Sequence, residues 1–236
     1  FLLKKLLNPT ELTSEINHEI YFCKNYTHRC FTQFYGFLKN NEKITGFVYE
    51  FMCNESLHSY VYSHREKINE NFSLMVMNRI FQGVEFLHSN SLIHRDLKPS
   101  NILLDHDYLP YIYDFETIRH SIDNKNEQEK AEMTKNIGSS LYSSPEQNRG
   151  EIVSYSTDIY SFGLIIYFLI EKKNIFSKYS EIVSMKNEGF KFPSISTCLN
   201  NIQDIYKKCV KFKPEERLKN SEIKQFLIEE MNSLFA

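Results

Sequence analysis

His94-Arg95-Asp96-Leu97-Lys98-Pro99-Ser100-Asn101-Ile102-Leu103-Leu104, followed by Tyr113-Asp114-Phe115, is the stretch whose reading decides the fold. The apolar run Ile102 to Leu104 predicts a short strand, Tyr111-Ile112-Tyr113 predicts its partner, and Asp107 to Pro110 supplies turn residues between them. Asn101 and Asp114 then stand at adjacent strand ends, with Asp96 and Lys98 on the loop that leads in. Carboxylate and amide oxygens are hard donors of the kind a small divalent cation takes. A further carboxylate on the loop can accept a proton-bearing hydroxyl, and a lysine beside it can lie against an anion. A solvated polar loop supplies any one of these groups, but not the whole set at this spacing.

The run resembles the catalytic loop of the protein kinase family, and Asp114-Phe115-Glu116 resembles its metal-binding triplet. Transfer of a γ-phosphoryl group needs its spreading charge neutralised and the acceptor oxygen held in line. The resemblance implies ATP and Mg²⁺ as cofactors, with Asn101 and Asp114 as the metal ligands. It makes Asp96 the acceptor of the substrate hydroxyl and Lys98 the point charge against the γ-phosphate. Lys98-Pro99 on this loop implies serine or threonine of a protein as substrate, since a tyrosine kinase would lack that lysine.

The resemblance extends over almost the whole chain. Phe1 to Leu6 is similar to the third strand of the small lobe, which makes Lys4 the contact to the α and β phosphates. A helical segment from about Glu11 to Asn25, apolar at Ile16, Ile20 and Cys23, places Glu19 as that lysine's partner; two unrelated surface charges are the alternative. Phe47 to Met52 resembles the fifth strand and the hinge, where the backbone of Glu50 and Met52 would bond the adenine edge and Tyr49 would be the gatekeeper. Leu103 is expected to contact the nucleotide as well. Asn54 or Ser56 caps the next helix, and Leu74 to His88 carries one apolar face of a core helix. Ser144-Pro145-Glu146 resembles the APE triplet with Arg217 as its buried partner, and Asp158 resembles the aspartate that anchors the catalytic loop. The expected fold class is α+β and two-lobed. Residues 1–50 would form a truncated small-lobe sheet with the regulatory helix, and residues 51–236 the hinge and a mainly helical large lobe.

Between Asp114 and Glu146 the polar run Asp123 to Lys130 marks an activation segment with a mobile centre. Arg95 implies a basic pocket for a phosphate there, with Thr134, Ser139 and Ser140 as candidate acceptors. Ser139 also matches the hydroxyl that meets the catalytic lysine in serine/threonine kinases.

Three departures from the family pattern bear on activity. No G-x-G-x-x-G occurs in the sequence; because Phe1 is not a translation start, that loop is expected upstream. Glu116 replaces the glycine of the triplet, with an expected backbone cost of about 1 kcal/mol wherever glycine's freedom is needed. Its carboxylate would either add to the magnesium site or repel the phosphates. Leu2 stands where a small alanine usually covers adenine, and its extra volume narrows that slot. A pseudokinase acting as a binding or scaffolding module is therefore the competing reading.

Composition adds limits. The 236 residues carry a net charge of −2 with lysines dispersed among Glu and Asn, which argues against nucleic acid as a partner. Five cysteines without a CxxC pair favour a reducing, cytoplasmic interior over a disulfide framework or a zinc site. The histidines lack HExxH spacing, and His94 fits an internal position of the loop. Leu164 to Ile170 is too short for a bilayer, which takes roughly 20 residues, so no membrane contact is expected. Oligomeric state is left open.

Overall fold

The structure, a computed structural model, describes residues 1–10, 14–41, 43–121, 141–176, 190–197, 199 and 201–233. Its first part is a three-stranded antiparallel sheet of β1 (Leu2–Thr10), β2 (Phe34–Asn40) and β3 (Lys43–Tyr49) in the order β1-β3-β2, with helix α1 (Ser14–Asn25) between β1 and β2 in the chain. Alternation in β1 points Leu2, Lys4 and Leu6 inward and Leu3 and Lys5 outward, with Leu2 opposite Tyr49 and Lys4 opposite Phe47. In α1, Ile16, Glu19, Ile20 and Cys23 are buried at a spacing that puts them on one face.

After the hinge the chain is mainly helical: α2 (Leu57–Ser63), α3 (Glu70–Ser89), α4 (Pro145–Asn148), α5 (Tyr155–Glu171), α6 (Ile202–Cys209) and α7 (Asn220–Ser233). Two small sheets join them, β4 (Leu92–Ile93) with β7 (Arg119–His120) and β5 (Ile102–Leu104) with β6 (Pro110–Ile112). This is the α+β, two-lobed arrangement, a small sheet against a larger helical part. No helix among the described residues is long and apolar enough to cross a membrane.

Capping sets the helix starts. Ser56 Oγ accepts from the Ser59 N–H at 3.2 Å, so Ser56 is the cap of α2, and Asn69 Oδ1 accepts from the Phe72 N–H at 2.9 Å. That second cap lets α3 begin four residues before Leu74. The strand predicted at Tyr111 to Tyr113 pairs one residue earlier, because the Tyr113 N–H is taken by the Asn101 carbonyl at 2.9 Å. At the centre, α5 is buried from Thr157 to Leu169 on all sides, which explains an apolar run without a polar face. Gly163 allows α6 to approach it: a Cβ there would lie 2.7 Å from Cys209 Cβ.

Candidate active site

The catalytic loop takes its shape from α5. Asp158, fully buried, accepts the backbone N–H of His94 and of Arg95 at 2.9 Å each, and His88 Nε2 bonds the same carboxylate at 2.9 Å. Burial alone would raise the Asp158 carboxyl, but the His88 hydrogen bond and these donors hold it below the usual range. Gln147 Nε2 donates to the Arg95 carbonyl at 2.8 Å, and Thr117 Oγ1 to the His94 carbonyl at 2.7 Å. The peptide groups around His94 and Arg95 are thereby held from several elements. Arg95 has φ of 73°, a left-handed conformation unusual for a side-chain-bearing residue.

Within that frame the loop's polar groups converge. Lys98 Nζ donates to Asp96 Oδ2, and Asn101 Nδ2 donates to the Asp96 backbone carbonyl at 3.0 Å and to Oδ2 at 3.1 Å. With its amide nitrogen committed in this way, Asn101 is left its oxygen as the ligand atom. Since Tyr113 is bonded to Asn101, the following residue, Asp114, stands beside it at the strand end.

Lys4 brings the sheet to this point. Its Nζ donates to Asp114 Oδ1 at 2.6 Å, to both oxygens of Glu19 at 3.1 Å, and to Glu116 Oε2 at 3.4 Å. Lys4 and Glu19 are therefore partners rather than separate surface charges. Burial works to lower the Lys4 pKa, yet attraction to Asp114 and Glu19 outweighs it and holds the ammonium above the ordinary lysine range. Burial raises the Glu19 carboxyl, an effect that Lys4 and Tyr49 offset only in part.

Glu19 has a further partner that its position in the sequence did not suggest. The Tyr49 hydroxyl donates to Glu19 Oε1 at 2.6 Å, and Cys23 Sγ lies 3.7 Å from the same hydroxyl. The Tyr49 ring also packs edge-on against Tyr113 at 5.2 Å. Tyr49, expected as the gatekeeper, thus ties α1 to β3. Burial pushes its phenol far above the usual value, so it is a donor at any physiological pH. A signal was present, since a buried tyrosine hydroxyl needs a partner. Below it, Phe115 packs against Phe22 of α1 at 4.6 Å and against Phe31 at 5.5 Å.

The hinge offers less than both backbone groups of Glu50. Its N–H is taken by the Gln33 carbonyl at 2.8 Å, which leaves the carbonyl as the backbone group of Glu50 that could bond a ligand. Leu103, half-buried in β5, pairs with Tyr111 and bridges Ser56 just past the hinge. Leu2, two residues before Lys4, packs inward against the core.

The backbone cost expected at Glu116 is absent in this conformation. Positive φ falls on Asp114, at 69°, and not on Glu116, which therefore needs no glycine here. Carboxylate oxygens of Glu19, Asp114 and Glu116 lie within 4.8 Å of one another, all around Lys4. The donor set of Asp114 and Asn101, hard oxygens only, fits magnesium. Thr134, Ser139 and Ser140 lie outside the described residues.

Away from the site, Arg217 forms a two-bond fork with Glu146 at 2.6 and 2.7 Å in a region closed to solvent. Burial pushes the Glu146 carboxyl up, but the Arg217 fork wins and holds it below the usual range. Ser144 and Gln147 cap α4 reciprocally, an S-x-x-Q pattern that was legible in the sequence and would have marked Gln147.

Comparison with known proteins agrees with this geometry. A family model described as protein kinase domain matches residues 2–227. A probable LIM domain-containing serine/threonine-protein kinase of Dictyostelium discoideum is 31% identical over 200 residues, covering 83% of this chain and 30% of that protein. Cysteine-rich receptor-like protein kinase 45 of Arabidopsis thaliana is 32% identical over 180 residues, 73% of this chain and 50% of the relative. Cysteine-rich receptor-like protein kinase 24 from the same plant is 35% identical over 167 residues, 68% of this chain and 26% of the relative. The chain thus spans half or less of the length of these relatives. With the loop held by Asp158, the Lys4 cluster and a family match over nearly all its residues, the chain belongs to the protein kinase family.

Proposed function

We propose that the chain transfers the γ-phosphate of ATP to a serine or threonine hydroxyl of a protein, with Mg²⁺ held by Asp114 and Asn101. The observation that carries this reading is the convergence of Asp96, Lys98 and Asn101 through three direct hydrogen bonds to Asp96. When bound, the metal supplies charge neutralisation at the phosphates. Asp96 accepts the hydrogen bond of the incoming hydroxyl and aims its oxygen, while Lys98, already against Asp96, follows the transferring group as a mobile positive charge. Lys4, presented by β1 and steadied by Glu19, binds the phosphates nearer the nucleoside. The backbone of Glu50 and Met52 and the side chain of Leu103 orient the base. Serine or threonine as acceptor is supported by Lys98-Pro99 on the loop and by relatives named as serine/threonine kinases.

A second reading, a nucleotide-holding scaffold without turnover, is favoured by one observation: the third carboxylate on Lys4, from Glu116. Transfer of labelled γ-phosphate from Mg-ATP to a generic protein substrate separates the two. Turnover by the wild type that Asp96→Asn abolishes supports the kinase reading. Nucleotide binding without turnover in either protein supports the scaffold.

A further inference from the structure

Glu116 stands where the family's triplet carries glycine, and phosphoryl transfer as described above makes no use of it. Its side chain is half exposed, with a relative accessibility of 51%, yet it turns toward the site and lies 3.4 Å from Lys4 Nζ. No backbone strain forces it there, since its φ is ordinary. Around that ammonium the carboxylates of Glu19, Asp114 and Glu116 face a single lysine, a formal excess of two negative charges where glycine would leave one.

A polyphosphate approaching Lys4 must displace some of these contacts. The Asp114 and Glu19 carboxylates are less open to solvent than Glu116. The Glu116 contact, the longest and most exposed, is the one most readily given up. Once displaced, that carboxylate stays near the phosphate oxygens and repels them. A divalent cation held at Asp114 removes the repulsion, because it cancels two charges at short range.

On these grounds we propose that Glu116 is a specificity-determining residue that biases nucleotide binding toward the divalent-cation complex of a nucleoside di- or triphosphate over the bare anion. The proposal rests on the nucleotide-binding reading of the site. Like charges a few ångströms apart at a half-exposed position interact weakly and are screened by salt, so the effect is a discrimination and not a block.

The test is equilibrium binding of a fluorescent ADP analogue to the whole chain, in Mg²⁺ and in excess chelator, at low ionic strength. The quantity read is the ratio of the two dissociation constants. In Glu116→Gln, which keeps size and loses charge, the ratio of the metal-free to the magnesium dissociation constant should fall by about two- to fivefold, mostly through tighter metal-free binding, and the gap to wild type should narrow in high salt. Glu116→Gly should behave the same way. A ratio unchanged in both variants, with wild type binding the magnesium complex, overturns the role of Glu116 alone. A change in Glu116→Gly without one in Glu116→Gln also overturns it, by assigning the effect to bulk. Absence of binding by the wild type in either buffer overturns the nucleotide reading and this proposal together.

Discussion

Arg217 and Lys4 are both cations held by carboxylates, Arg217 by one and Lys4 by three, and they differ in how their donors are shared out. Arg217 has five N–H groups and five hydrogen bonds: two to Glu146 and one each to the carbonyls of Lys211, Ser156 and Phe212. Its side chain has no exposed surface. Lys4 has three protons and four carboxylate oxygens in reach, from Glu19, Asp114 and Glu116, with 17% of its side chain open. A saturated cation has nothing to offer a ligand; this one joins α4, the start of α5 and the segment that follows α6. An oversubscribed one can exchange partners without leaving a buried charge unpaired, as a phosphate-binding lysine must.

If the exchangeable region does the chemistry, then Asp96→Asn should lower phosphate transfer about 10²- to 10⁴-fold while leaving the melting temperature close to wild type. A calorimetric scan alongside the assay checks this, and a large drop in melting temperature would make the loop structural instead. The saturated region should behave in reverse. Arg217→Ala strands the Glu146 carboxylate and should cost about 3–5 kcal/mol in urea unfolding, with nucleotide affinity unchanged at temperatures where the variant is folded. Loss of affinity at full foldedness would erase the distinction between the clusters.

Tyr49→Phe sharpens the comparison from inside the open cluster. It removes one hydrogen bond to a buried carboxylate, worth about 1.5–3 kcal/mol, and leaves Lys4 as the remaining partner of Glu19. Urea unfolding should show that loss, and nucleotide affinity should weaken as α1 is held less firmly. A variant as stable as wild type would show the hydroxyl to be idle.

The smallest effect is the pH dependence, and its sign differs between the regions. Glu146 and Asp158 have carboxyls held below their ordinary values of 4.5 and 3.8, so their stabilisation is complete above those values and is lost as pH falls through the lowered native ones. Glu19 is raised, so its contribution runs the other way: stability gained as pH falls through its native value and lost as pH rises. Unfolding free energy measured from pH 7 downward should decline only below about 4.5, and Arg217→Ala should flatten that decline. An equal decline in both proteins would remove Glu146 as its source.

What was legible in the sequence is what is local. His94 to Asn101 sits on one short loop, and the hairpin of β5 and β6 that presents it can be read from adjacent apolar runs and turn residues. Lys4 with Glu19 and Glu146 with Arg217 were legible only through resemblance, since 15 and 71 residues separate the partners and no spacing rule joins them. The Tyr49–Glu19 bond was legible only as a buried hydroxyl in need of some partner, and the Glu116–Lys4 contact was not legible. They span 30 and 112 residues and depend on how α1 docks against β3 and how the chain turns after Asp114, which are products of packing. The start of α3 lies four residues before the apolar run at Leu74 because the Asn69 cap, not apolar periodicity, sets it.

Arg95 and Asp114 both have backbones in the left-handed region, at φ of 73° and 69°, where a residue with a Cβ is disfavoured by about 1–2 kcal/mol. Glycine would sit there without penalty. Arg95 and Asp114 thus each carry a charged group on a backbone that glycine would adopt more cheaply, and the angles of two residues measure what the chain spends locally to bring those charges to one place.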